Sequence, residues 1–419
     1  MTFAHQNSIL LYDRSKNLYN FRWDEDKIKF TYFDKKLKKY DTTTLIEDGT
    51  IEFDSVIDEE DHVYIIYQNK SGVMSLKTLI DEKWNTHLLG EFNHLKIANL
   101  NLILHHKNLH IIYCIPVSEE NREYKIYHHY YDDPEWKTLE VGTIHKKNLL
   151  NPFQILQQKK KMLLGFYDIV DHEEQIFIKE FDFENHQWKR TIQLTSSFED
   201  KLYLDMMMSN PETLDITYSE YHEGNLVIKY EKHRLQEAKS VKVLETMLSN
   251  PSNCSSPTFV LNDKTLWNIW TEYDQVYSSF TKDEGLTWSA PYVWKESKEE
   301  IFFRHKFQTN DSVINAYYQL NHVFGKGYPT FSFIGFGSLD KAIEEPIQQK
   351  KYVKKKEKDE IEPEKNTKQE IQEKKEHDEI KEINISTLQK DIARLEERIK
   401  NIEDYIQRRR RGILFSPKR

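Results

Sequence analysis

A bidentate grip on a carboxylate takes arginine, whose planar fork a lysine point charge does not reproduce. Residues 1–338 hold only six: Arg14, Arg22, Arg122, Arg190, Arg234 and Arg304. None is followed by Ile-Pro or Val-Pro, and Arg22 precedes Trp23 and Asp24. The histidines suggest little metal chemistry. In YHHYY, residues 127–131, His128 and His129 fall on opposite faces of one strand and do not chelate one ion together. His105, His106 and His110 span a hairpin and read as surface imidazoles, with zinc as the alternative. Asp58, Glu59, Glu60 and Asp61 read as a solvated turn, and the methionine run 206–208 as core filling. There is no glycine-rich phosphate loop and no nucleophile elbow. The side chains therefore predict no catalytic residue, no cofactor and no metal.

The elements that would carry such groups repeat. A short apolar stretch ending in a ring returns as NLYNF, VYIIY, LHIIY, LLGFY, LDITY, LWNIW and VINAY. The terminal rings are Phe21, Tyr67, Tyr113, Tyr167, Tyr218, Trp270 and Tyr317, at steps of 46, 46, 54, 51, 52 and 47 residues. After each comes a polar turn and a second alternating run, such as KIKFTYFD or QIFIKEFDF. Period-two alternation between turns is the mark of a strand with one buried face. A further ring follows at Tyr40, Trp84, Trp136, Trp188 and Trp288, then a third run, while a fourth run precedes each ring-ending stretch.

Four short antiparallel strands per unit of about fifty residues make one blade of a β-propeller. No blade buries its faces alone, so the units stack around an axis. The expected fold is all-β, a propeller over residues 1–338 with seven blades, six being the alternative if the first copy is irregular. The seventh copy lacks an outer strand, which the N-terminal MTFAHQ is expected to supply.

One turn is distinctive. TKDEGLTW, residues 281–288, falls between the third and fourth strands of the sixth unit. Thr281, Asp283, Gly285, Thr287 and Trp288 fill every specified position of an Asp box, or BNR repeat, so the chain resembles the sialidase-like superfamily. The residue chemistry is that of a turn: Asp283 accepts backbone N–H bonds, Gly285 permits positive φ, and Trp288 folds back between sheets. DEKW, DPEW and ENHQW at 81–84, 133–136 and 184–188 keep the ring and lose the glycine. The resemblance implies a structural box on the face away from any active site. It also implies, for a catalytic member, an arginine triad, an Asp acid/base and a Tyr activated by Glu. The scarce arginines depart from that pattern, and a non-catalytic member is expected.

Loops joining second and third strands open on the other face. The longest are PVSEENRE at 116–123 and QLNHVFGKGY at 319–328. The second supplies Asn321, His322, Phe324 and Lys326 as a candidate ligand loop for a glycan or a peptide.

The rest of the chain is a different polymer. Residues 339–384 form a charged linker; 350–383 balance 11 lysines against 11 acidic groups. Ile385, Leu388, Ile392, Leu395, Ile399, Ile402 and Ile406 then alternate steps of three and four, a coiled-coil seam within residues 385–411. A homo-oligomer, trimer or dimer, is expected. Residues 412–419 are a basic tail following the four arginines at 408–411.

The net charge of −9 divides unevenly: residues 385–419 carry +5 and 339–349 carry −2, so residues 1–338 carry −12. Such an acidic body argues against nucleic acid and anionic membrane as partners. Two cysteines, Cys114 and Cys254, and no leader or spanning segment point to a cytoplasmic protein, and the Lys-, Ile- and Asn-rich composition to a bacterial one. The expected function is a non-enzymatic interaction or scaffold protein, a propeller multimerised by its coiled coil. The alternatives are a diverged glycoside hydrolase and a glycan-binding propeller.

Overall fold

The computed structural model describes residues 2–3, 8–91, 96–118, 122–132, 134–147, 150–222, 224–327 and 331–347. The chain divides into two compact units, 1–349 and 350–419. The second lies outside the described residues, and with it the linker from 350, the seam Ile385 to Ile406 and the tail.

Alternating runs become antiparallel sheets of four strands, innermost first. Blade 1 is Ser8–Tyr12, Leu18–Asp24, Lys27–Asp34 and Lys39–Ile46. Blade 2 is Gly49–Ile57, Val63–Asn69, Val73–Ile80 and Lys83–Glu91. Blade 3 is Ala98–His105, Asn108–Ser118, Glu123–Asp132 and Glu135–His145. Blade 4 is Phe153–Gln157, Lys161–Val170, Glu173–Asp182 and an outer strand split into Gln187–Trp188 and Ile192–Gln193. Blade 5 is Lys201–Asn210, Thr213–His222, Asn225–Leu235 and Ser240–Met247. Blade 6 is Cys254–Asn262, Thr265–Glu272, Gln275–Thr281 and Tyr292–Trp294.

The core lies between blades. Phe21 and Phe30 meet Phe53 and Ile65 across blades 1 and 2. Ile66 and Met74 meet Leu102 and Ile111 across blades 2 and 3. Equivalent clusters join 3 to 4, 4 to 5 and 5 to 6. The first six ring residues are all buried here, and each contributes about 1.5–3 kcal/mol by leaving water. Phe302 and Phe324 then join blade 6 to a last small sheet, whose Phe302–Thr309 strand pairs in parallel with Ser8–Tyr12 of blade 1. The circle is closed, and the fold is a β-propeller.

The count of seven full blades needs correction. Six sheets are complete, and the first is as regular as the others. The seventh unit is a remnant of Phe302–Thr309, His322–Gly325 and Phe333–Ile334. Its supposed ring stretch VINAY is a helix, Ser312–Tyr317. Asp311 decides this, its carboxylate accepting from Val313 N–H at 2.8 Å and Ile314 N–H at 3.4 Å. The N-terminus does not supply an outer strand either: Thr2–Phe3 pairs in parallel with Phe302 and Phe303, on the remnant's first strand. Four residues beyond Ser338, the strand Ala342–Glu344 pairs with Tyr292–Trp294 and covers the outer edge of blade 6.

Several tight hairpins close without glycine. Glu25–Asp26, Asp81–Glu82, Asp171–His172 and Tyr273–Asp274 each place two consecutive residues at positive φ, the geometry that matches strand twist.

Candidate functional site

First strands converge at the centre of the ring, and their polar side chains meet there. Asp205, on the first strand of blade 5, is fully buried. Its carboxylate accepts from Phe259 N–H at 2.7 Å, Thr258 Oγ1 at 3.0 Å, Asn321 Nδ2 at 3.2 Å and Gln154 Nε2. Blades 4, 5 and 6 and the remnant are thus tied to one carboxylate. Asp54, on the first strand of blade 2, repeats the device. It accepts from Leu102 N–H of blade 3 at 2.7 Å and from Lys306 Nζ of the remnant.

Arg304 stands near Asp205, with a buried Nε–H that lacks a hydrogen-bond partner among the described residues. Burial pushes its guanidinium down to about 10, opposed by the Asp205 charge. The imidazole of His322 sits close by, its buried Nδ1 without a hydrogen-bond partner among the described residues. Burial, then the charges of Arg304 and Lys306, hold its pKa well below the usual histidine range, so it stays neutral. Of the other arginines, Arg14 and Arg122 lie beside hairpins and Arg190 between the two halves of an outer strand. Arg22 lies over the Phe303 ring at 5.6 Å. An arginine triad does not form among the described residues.

The candidate loop 319–328 disperses. Tyr318–Leu320 pairs with the first strand of blade 6, and His322–Gly325 with the remnant. Asn321 is spent on Asp205 and on the Met206 carbonyl at 2.9 Å. Phe324 is 0% exposed within the core. Lys326 pairs with Glu300 at 2.5 Å. Only the alternation of the strand, hidden by the loop-like glycines, would have placed Phe324 inside.

The box residues come together as a turn on the face of the first-to-second and third-to-fourth hairpins. Thr281 Oγ1 donates to Asp283 Oδ1 at 2.7 Å and accepts from Gly285 N–H at 3.0 Å. Asp283 also accepts from Thr287 N–H at 2.9 Å and Thr287 Oγ1 at 2.6 Å. These bonds, led by the Thr287 hydroxyl, hold its pKa down at about 2. Gly285 has φ +89°, and a Cβ there would lie 2.2 Å from Tyr230 Oη. The Trp288 ring packs on Tyr230 at 4.9 Å, and Tyr230 donates to buried Asp215 at 2.7 Å. The turn therefore anchors blade 6 to blade 5.

The sequence did not single out Lys146, which is fully buried. Its ammonium lies 3.6 Å from the Tyr167 ring centre and 3.6 Å from Glu174 Oε2. Burial pushes it down to about 8, against the pull of Glu174. Trp188 Nε1 donates to His128 Nδ1 at 3.2 Å, leaving His128 Nε2 as the donor to His110 Nδ1 at 2.9 Å. Both imidazoles are core groups held neutral mainly by burial. No cluster of three His, Cys, Asp or Glu suited to a metal occurs among the described residues.

No family model and no curated protein matches the chain. Among solved structures, a PL25 ulvan lyase shares 9% identity over 71% of this chain and 82% of its own, with a TM-score of 0.48. The SapL1 lectin, solved with alpha methyl fucoside, shares 10% over 69% and 94%, with a TM-score of 0.39. An alpha-L-arabinanase of Penicillium chrysogenum shares 10% over 57% and 79%, with a TM-score of 0.42.

Proposed function

We propose that this chain is a non-enzymatic binding protein whose propeller holds a glycan or protein ligand and whose C-terminal coiled coil gathers several propellers. One observation carries the non-enzymatic reading. Asp205, the carboxylate whose charge acts on Arg304, is fully buried and saturated by four donors from three separate segments. A carboxylate so occupied is a latch between blades, and it has no lone pair left to take a proton from a substrate. The turn Thr281–Trp288 is a second latch, which fits a non-catalytic, sialidase-like propeller.

Multimerisation rests on the seam Ile385, Leu388, Ile392, Leu395, Ile399, Ile402 and Ile406. Several copies on one stem would raise avidity for a repetitive ligand without any new contact.

The test is to present the full chain to a panel of neutral and acidic oligosaccharides and of bacterial proteins, following both retention and the mass of each ligand. Saturable retention with unchanged ligand masses is the expected result. Hydrolysed or eliminated products overturn the reading, as does a panel with no retention at all.

A further inference from the structure

A cleft of about 120 Å3 opens between blades 3 and 4. Two irregularities make it. On the blade 3 side, Val141 is the extra residue of a bulge, since Ile126 pairs with Gly142 and Tyr127 with Glu140. A bulge re-aims the groups around it. On the blade 4 side the outer strand is interrupted between Trp188 and Ile192, so Thr191 leaves the sheet and lines the opening.

Lys179 reaches into this cleft. Its ammonium donates to the Val141 carbonyl, and among the described residues no carboxylate pairs with it. The contrast within the same blade is sharp: Lys161 and Lys189 share Glu180 at 2.8 Å and 2.6 Å. Burial without a counter-charge pushes the Lys179 pKa below the ordinary lysine range. An unneutralised, half-buried cation is costly to the fold and favours an anion from outside.

The remaining walls are those of a small polar ligand. The hydroxyls of Thr143 and Thr191 have no hydrogen-bond partner among the described residues, and both line the cleft. Phe177, partly exposed, stacks on Phe166 at 5.8 Å and offers a flat apolar floor. The Asp168 carboxylate at the rim is held through Oδ1, which meets Ile169 N–H at 2.9 Å, His145 N–H at 3.1 Å and the His145 ring nitrogen Nδ1 at 3.1 Å. At Gly142 a Cβ would meet nothing within 4 Å, so the space in front of it is open.

We infer that this cleft binds an acidic saccharide unit, with the Lys179 ammonium on its carboxylate, the two threonine hydroxyls on its ring hydroxyls and its apolar face against Phe177. The inference rests on the binding-protein reading above and names a site and a ligand class for it.

The test titrates the full chain with D-glucuronate, D-glucose and acetate, read by calorimetry and by ligand-observed NMR. Saturable binding of glucuronate, about tenfold or more above glucose and acetate, is expected. Lys179→Met keeps the aliphatic stem and removes the charge, and should lose that binding. Gly142→Val sets its Cβ where nothing lies within 4 Å, and should lose that binding while leaving the unfolding midpoint unchanged. No saturable binding, or binding that survives both substitutions, overturns the site. Acetate binding as well as glucuronate overturns the saccharide assignment. If the oligosaccharide panel retains ligands that neither substitution disturbs, this site falls and the binding-protein reading stands. An empty panel removes both.

Discussion

Blades 4 and 6 solve the third-to-fourth strand turn with different residues. In blade 6, Thr281, Asp283 and Thr287 lock one another, and Gly285 lets the backbone approach Tyr230. In blade 4 there is no glycine: Asp182 takes Glu184 N–H at 2.9 Å and Asn185 N–H at 3.1 Å, and His186 carries the positive φ of 52°. Both turns return a tryptophan to the preceding blade. Trp188 uses its indole N–H on His128, whereas the buried Trp288 N–H has no hydrogen-bond partner among the described residues. The carboxylate and the ring are therefore what the turn requires, while the glycine is needed only where a neighbouring blade presses close.

The largest test of that contrast is Gly285→Ala. Clash with Tyr230 and a disfavoured φ should together cost about 3 kcal/mol or more in guanidinium unfolding. His186→Gly in blade 4 should be neutral or slightly stabilising. A small loss at Gly285 would mean that blade 5 yields and the approach is not tight.

Next come the two rings. Trp188→Phe leaves the buried His128 Nδ1 without its donor and should cost about 1–3 kcal/mol. Trp288→Phe removes no hydrogen bond and should cost less, through lost packing alone. Equal losses would show that the indole N–H of Trp188 contributes nothing.

The acid response separates the turns more finely. The folded pKa of Asp283, about 2, lies below the ordinary carboxylate value of about 4. Its stabilisation is then complete above pH 4 and is lost as pH falls toward 2. Thermal unfolding of Asp283→Asn should show a shallower decline over that window than the parent. The smallest expected effect on stability is that of Ile392→Asp with Ile399→Asp in the full chain. Light scattering should report monomers while the propeller's unfolding midpoint stays unchanged.

Much of this was legible in the sequence. Rings every fifty residues, alternation and turn residues fix four-stranded units, because burial of one strand face is a local periodic property. The turn Thr281–Trp288 was legible as well, since all its hydrogen bonds close within eight residues. VINAY was misread because alternation competes with a cap: Asp311 satisfies two backbone donors at once, and a unit short of outer strands has no sheet to pull the segment straight.

What only the tertiary structure decided was how the copies use one another. Asp54 and Asp205 are ordinary aspartates in the sequence, and the partners they hold on other blades lie at least 48 and 51 residues away. Phe324 and Asn321 looked like loop residues until pairing of His322–Gly325 with Phe302–Thr309 buried Phe324 against blade 6 and brought Asn321 to Asp205. Lys179 is one lysine among many until a bulge in blade 3 and a gap in blade 4 leave it without a carboxylate. Periodicity is written along the chain, whereas charge compensation depends on groups brought together from distant blades, and distance along the chain carries no record of it.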